Sequence, residues 1–196
     1  VYGAFANAGQ ACVSVERLYV ESAVHDRLVE RVVRETERLR LTRGGDGDLG
    51  PIIGDAQQHK IEEQLRDALE KGAVLATPPR SEGTLLWPVV LTRVSHAMRL
   101  MQEETFGPVL PVMPFEDEEQ AVALANDSVY GLSASVWTRD LARGRRVASR
   151  VVAGSCAVND VIKNISNMDL PFGGERQSGC GRAHGPEGLP RRPDRR

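Results

Sequence analysis

A chain of 196 residues with 41% hydrophobic and 27% charged residues has the composition of a globular protein with one substantial core. The formal net charge of −2 argues against a nucleic-acid partner, and no apolar stretch approaches the roughly 20 residues that span a membrane. Three widely spaced cysteines, Cys12, Cys156 and Cys180, form no CxxC pair. They predict neither a disulfide framework nor a metal site, and they favour a reducing, cytoplasmic compartment.

Strands and helices are predicted to alternate along the chain, from apolar spacing, β-branched content and turn residues. The predicted elements are strand 15–20, helix 24–39, helix 55–71, strands 74–76, 89–91 and 109–115, helix 117–125, strand 132–137, helix 140–150 and strand 154–158. Pro111 and Pro114 predict that strand 109–115 lies at a sheet edge or bends. This alternation of strands and helices predicts an α/β fold, with a layered and mainly parallel sheet and flanking helices.

Cys12 ends the string Phe5-Ala-Asn-Ala-Gly-Gln-Ala-Cys12, which has the pattern F-x-N-x-G-Q-x-C. Its small and polar neighbours leave room for a substrate to approach the sulfur, and the thiolate is the reactive form of a cysteine. These residues alone leave two interpretations open. Cys12 is either a nucleophile or a buried structural cysteine.

Three further strings follow in order. Glu103-Glu-Thr-Phe-Gly-Pro-Val109 is typical of a loop with two solvated acids and a Gly-Pro turn, although a carboxylate near an aromatic ring can also hold a ribose diol. Asn126 to Ser135 is typical of a helix end, a turn and a strand. The last string runs through Gly154–Asn159, Pro171–Arg182 and His184–Leu189.

These four strings, in this order, resemble the aldehyde dehydrogenase superfamily, whose members use NAD or NADP. The resemblance implies that the thiolate of Cys12 attacks an aldehyde carbonyl, and that the aldehyde becomes a carboxylate through a thiohemiacetal and a thioester. It assigns Glu104 to the nicotinamide ribose and Phe106 to the nicotinamide face. It places Asn159 beside the active site and Phe172 in the substrate tunnel, and it implies no metal.

The resemblance covers the C-terminal catalytic half of the family. In the family, most of the dinucleotide site, the general-base glutamate and an oxyanion-stabilising asparagine precede the cysteine, and this chain has neither G-x-G-x-x-G nor a Walker motif. We therefore expect a partial catalytic domain over 1–189 without its cofactor domain, and a disordered tail over 190–196. The family is homo-oligomeric, and Pro190-Arg-Arg-Pro predicts that the oligomerisation strand is lacking.

Two alternatives to a working dehydrogenase remain open at this point. The chain is expected to be inactive in isolation, so it could be a truncated remnant that at most binds or assembles. A thiol hydrolase is the other alternative, because an acyl-enzyme can form on a cysteine from an activated ester without a cofactor.

Overall fold

A computed structural model of the chain describes residues 1–162 and 172–179. The chain divides into two compact units, Val1–Asp117 and a second unit that begins at Glu118. The predicted tail over 190–196 and Cys180 lie outside the described residues, and the catalytic domain over 1–189 stays a prediction. Among the described residues, no helix has the length and apolar character needed to cross a membrane.

The first unit alternates strands and helices, as predicted. Its elements are α1 (Tyr2–Phe5), β1 (Leu18–Glu21), α2 (His25–Glu37), α3 (Asp55–Glu70), β2 (Val74–Leu75), β3 (Ser81–Glu82), β4 (Leu85–Leu86), β5 (Val89–Thr92) and β6 (Val109–Phe115). Short 3-10 turns lie at Ala6–Gly9, Ser22–Val24 and Arg99–Met101.

Four of these strands form one sheet in the order β1-β6-β5-β2. Both β1 and β5 run parallel to β6, and β2 runs antiparallel to β5 at the edge. The predicted α/β fold with a mainly parallel sheet is therefore confirmed.

Pro111 and Pro114 predict that this strand lies at a sheet edge or bends, and the edge position is wrong, because β6 lies between β1 and β5. Its neighbours pair with successive halves of the strand. Residues 109–111 pair with β5, and residues 112–115 pair with β1. Each side of β6 therefore carries only a short ladder. Because proline has no backbone N–H, Pro111 and Pro114 can each cost the sheet at most one hydrogen bond.

Alternate residues of the central strands point to opposite faces of the sheet and enter two separate cores. Leu91 and Val109 pack on the face that holds Ile61 of α3, whereas Val90 and Leu110 pack on the face that holds Val32 of α2. The near-continuous apolar sequence of β5 follows from this burial on both faces.

Helix α3 carries one buried stripe toward the sheet. Its buried residues Ile61, Gln64 and Ala68 recur at i, i+3 and i+7, which places them on one helical face. Asp55 lies in the first turn, after the N-cap Gly54. Gly72 follows the helix with φ of 96°, a left-handed conformation that ends a helix at little cost for glycine.

The second unit contains α4 (Glu118–Asn126), β7 (Tyr130–Gly131), β8 (Ser133–Val136), α5 (Leu141–Ala148), β9 (Ser155–Val158) and β10 (Glu175–Arg176). Strands β8 and β9 are parallel, and β7 pairs antiparallel with β10. Asn126 at the end of α4 accepts from the N–H of Val152 at 2.8 Å and donates to the carbonyl of Arg150 at 3.0 Å. The string 126–135 thus forms a helix end followed by short strands, as predicted.

Leu91→Ala tests the two-sided sheet. Leu91 is fully buried, so its truncation should lower the free energy of unfolding by about 2–5 kcal/mol through lost burial and a residual cavity. The measurement is urea unfolding of residues 1–196, followed by Trp87 fluorescence in a Trp137→Phe background so that only the first unit is observed. Val74→Ala, at a residue that is 43% exposed, is the matched control. Equal losses in the two variants would contradict the described core.

Candidate active site

The segment Phe5–Cys12, here called the cysteine turn, adopts an unusual backbone. Asn7, Ala8 and Gly9 follow one another with φ values of 54°, 55° and 73°. The left-handed region costs an ordinary residue such as Ala8 roughly 1–2 kcal/mol, and such strain persists only where the surroundings enforce it. The turn is therefore held by contacts outside its own backbone preferences.

The two polar side chains of the motif supply several of those contacts. Nδ2 of Asn7 donates to the carbonyl of Gln10 at 2.9 Å, and Nε2 of Gln10 donates back to the carbonyl of Asn7 at 3.1 Å. Oε1 of Gln10 also accepts from the N–H of Ile53 at 2.7 Å. Asn7 and Gln10 thus fix the shape of the turn and tie it to the segment before α3.

Cys12 is an exposed free thiol, whereas its neighbour Val13 is buried. This exposure excludes the interpretation of Cys12 as a buried structural cysteine. The half-buried Cys156 on β9 behaves differently, because burial raises the pKa of its thiol to about 11. A thiol with so high a pKa is almost entirely protonated near neutral pH and is a poor nucleophile.

The string that contains Glu104 and Phe106 forms a loop over residues 103–108, here called the acidic loop, which leads into β6. Glu104 is exposed and Phe106 is half-buried. Phe106 has φ of 51°, a second case of left-handed strain in a non-glycine residue. Glu103 pairs with Arg99, with Nε of Arg99 2.9 Å from the carboxylate, and this pairing lowers the pKa of Glu103.

Helix α3 holds the acidic loop from one side. Nε2 of Gln57 donates to the carbonyls of Thr105 and Phe106 at 2.6 and 3.2 Å. Nε2 of the buried Gln64 donates to the carbonyl of Glu104 at 3.4 Å. These amides satisfy carbonyls that the loop cannot pair within a regular ladder.

The cysteine turn packs directly against the acidic loop. A Cβ atom added to Gly9 would lie 2.1 Å from the carbonyl oxygen of Gly107, so only glycine allows this approach of the two backbones. The structure therefore brings three of the sequence-predicted site residues, Cys12, Glu104 and Phe106, onto two adjoining segments of the first unit.

A residue that the sequence analysis did not single out also joins these segments. Glu16 accepts from the N–H of Thr105 at 2.7 Å through Oε2 and from the N–H of Phe106 at 2.9 Å through Oε1. Burial raises the pKa of the Glu16 carboxyl, the two amide hydrogen bonds act in the opposite direction, and the charge of Glu104 raises it further. The only sequence signal is an acid among the β-branched residues before β1, and nothing near it indicates partners 89 and 90 positions away.

The other two predicted site residues lie in the second unit. Asn159 uses its side-chain amide on Thr138, accepting from the N–H and donating to the carbonyl, both at 2.8 Å. Phe172 is 47% exposed. Their predicted roles beside the active site and in the substrate tunnel stay predictions, and the motif residues 163–171 and 180–189 lie outside the described residues.

The sequence model of the aldehyde dehydrogenase family matches residues 1–191, and the chain belongs to this family. It is 46% identical over 189 residues to 4,4'-diapolycopene aldehyde oxidase from Methylomonas sp, with 96% of this chain and 36% of that protein covered.

Two solved structures are also similar to the chain. One is NADP-dependent glyceraldehyde-3-phosphate dehydrogenase from Bacillus halodurans C-125 complexed with NADP, at a TM-score of 0.88 and 35% identity over 92% of this chain and 38% of that chain. The other is betaine aldehyde dehydrogenase from Staphylococcus aureus in complex with NAD+, at a TM-score of 0.85 and 33% identity over 92% of this chain and 37% of that chain. The chain spans less than 40% of the length of each protein that it matches here.

Gly9→Ala should destabilise the first unit, because the new methyl group would meet the Gly107 carbonyl and the left-handed backbone would be strained. The expected loss in the free energy of unfolding is about 2 kcal/mol or more. Gly50→Ala is the matched control, since a Cβ there meets open space. The free energy of unfolding of both variants is measured by urea unfolding, followed by Trp87 fluorescence in the Trp137→Phe background. An equal loss in the free energy of unfolding for Gly9→Ala and Gly50→Ala would mean that the cysteine turn and the acidic loop are not in contact.

Iodoacetamide should label Cys12 before Cys156. At pH 8, a thiol with a pKa of about 11 is thiolate in only about one molecule in a thousand, and Cys156 is also partly covered whereas Cys12 is exposed. We expect a rate difference of at least about tenfold, measured by peptide mass mapping over time. Cys12→Ser identifies the peptide signal. Faster labelling of Cys156 would contradict the described exposure of Cys12.

Proposed function

We propose that the protein containing this chain oxidises an aldehyde to a carboxylate with NAD or NADP, and that Cys12 is its nucleophile. The observation that carries the proposal is the exposed thiol of Cys12 on a strained turn whose backbone lies against the loop that bears Glu104 and Phe106. Strained, externally held backbone is common where a reactive group must keep one position.

The reaction begins when the thiolate of Cys12 adds to the aldehyde carbon and forms a thiohemiacetal. The backbone N–H of Cys12 contributes to stabilising the oxyanion, in the manner of an oxyanion hole. Loss of the hydride from this carbon leaves a thioester on Cys12. Water then attacks the thioester carbonyl and the C–S bond breaks, which releases the carboxylate product, regenerates the Cys12 thiolate and gives two protons to solvent.

Glu104 and Phe106 have the chemistry needed to hold a nicotinamide nucleotide. An exposed carboxylate can accept hydrogen bonds from both hydroxyls of a ribose, and these bonds are charge-assisted. The aromatic ring of Phe106 offers an apolar face to a flat heterocycle. When bound, the nicotinamide supplies the acceptor for the hydride. The residues of the acidic loop would orient that group, and the backbone contacts of Gln57 and Gln64 keep the loop in place.

The exposed thiol also bears on the compartment. A nucleophilic cysteine that is open to solvent must stay reduced, and the cytoplasm keeps thiols in that state. We therefore place the working protein in the cytoplasm.

Glu104→Gln tests the ribose assignment in the full-length protein that contains this chain. Gln keeps the shape of the side chain but removes the charge-assisted acceptor, so hydride transfer should slow by at least about tenfold through poorer positioning. Hydrolysis of an activated ester by Cys12 needs no hydride transfer and should change by less than about twofold. The readouts are single-turnover NAD(P)H formation and ester hydrolysis on one preparation.

Two variants serve as controls for this experiment. Glu21→Gln makes the same change at an exposed carboxylate of β1, outside the acidic loop, and should behave like the unchanged protein. Cys12→Ser should abolish both reactions. Equal losses of both reactions in Glu104→Gln would sink the ribose assignment, and ester hydrolysis without any NAD(P)H formation in the unchanged protein would favour a thiol hydrolase.

A further inference from the structure

Glu16 connects the segment that follows the cysteine turn with the acidic loop through one carboxylate. It stands four residues after Cys12, and its two oxygens accept from two consecutive backbone N–H groups, those of Thr105 and Phe106. The distances of 2.7 and 2.9 Å are those of charge-assisted hydrogen bonds. A single side chain therefore fixes two successive peptide groups of a loop that lies far away in the sequence.

The same two residues are held from their other side. Gln57 donates to the carbonyls of Thr105 and Phe106, whereas Glu16 accepts from their N–H groups. The peptide group between Thr105 and Phe106 is bound at both ends, its carbonyl by Gln57 and its N–H by Glu16, so rotating it would break both bonds. This double hold explains how Phe106 keeps φ of 51° and how Glu104, the residue directly before, keeps a defined backbone direction.

We propose that Glu16 is a positioning residue for dehydrogenation, because it sets the backbone of the acidic loop so that Glu104 and Phe106 hold the nicotinamide nucleotide in register with the thiol of Cys12. This inference rests on the proposed function of Glu104 and Phe106. Glu16 itself touches neither substrate nor cofactor in this assignment. Its effect passes through the two peptide groups that it binds.

Only a carboxylate meets this requirement fully. Each oxygen of an ionised Glu accepts, whereas Gln offers one acceptor oxygen and an NH₂ group that would face a backbone N–H. Burial raises the pKa of Glu16, so its ionised form lowers stability as the pH rises through that raised value. The hydrogen bonds from the two loop amides oppose this effect of burial, because they favour the ionised carboxylate.

The catalytic test compares Glu16→Gln and Glu16→Asp with Glu21→Gln in the full-length protein. Glu21 is exposed on β1, so it is a matched control for the charge change. For Glu16→Gln we expect a raised KM for the dinucleotide, single-turnover NAD(P)H formation slower by about tenfold or more, and ester hydrolysis changed by less than about twofold. Glu16→Asp keeps two acceptor oxygens on a shorter side chain and should recover part of the loss.

Two results would overturn the positioning role. One is a Glu16→Gln protein whose hydride transfer stays within about twofold of the unchanged protein. The other is an equal fall in hydride transfer and ester hydrolysis with no recovery in Glu16→Asp, which is what a purely structural defect produces. If Glu16→Gln does not fold, Glu16→Asp decides alone, and it must lose more hydride transfer than ester hydrolysis.

A second measurement separates this inference from the proposed function. Amide hydrogen exchange of Thr105 and Phe106, followed by NMR in residues 1–196, should speed up by at least about tenfold in Glu16→Gln and stay unchanged in Glu21→Gln. Unchanged exchange in Glu16→Gln overturns the inference whatever Glu104 does. Faster exchange, combined with a Glu104→Gln protein of normal hydride transfer, removes the ribose assignment while the hold of Glu16 on the loop stands.

Discussion

The approach of the Gly9 backbone to the carbonyl of Gly107 is the constraint on which the candidate site depends. It leaves no room for a side chain at residue 9, and it brings the turn that carries Cys12 against the loop that carries Glu104. Without this approach, the thiol and the acidic loop would be separate features at one end of the sheet. With it, a displacement of one segment must move the other.

Polar side chains preserve this contact where regular secondary structure ends. The acidic loop cannot pair its peptide groups in a sheet ladder, so amides of Gln57 and Gln64 and the carboxylate of Glu16 satisfy them. Gln64 is buried within the apolar stripe of α3, a position that a hydrophobic residue would otherwise fill. Part of the helix face is thus used to hold a loop, and the apolar residues beside it pack on the sheet.

Local patterns were enough to predict most elements, and they failed where the outcome depended on neighbours in space. The helix over 55–71 carries apolar residues at helical spacing and is followed by Gly72, and the strand over 89–91 is a short run of apolar residues, so their existence was predicted correctly. The place of β6 in the sheet was not. Prolines predict an edge position or a bend, but the division of the two halves of β6 between β5 and β1 is a property of the assembled sheet.

The sequence by itself determined the family and the residues Cys12, Glu104 and Phe106, because these residues lie in short strings of fixed spacing. It determined the α/β class through the alternation of strands and helices. Only the tertiary structure decided that Cys12 is exposed, that its turn lies against the acidic loop, and that Glu16 binds that loop. The physical reason is distance along the chain. Hydrogen bonds between residues 89 and 90 positions apart leave no periodic pattern in the sequence, and they arise only when the parallel pairing of β1 and β6 brings the segments before these two strands to the same end of the sheet.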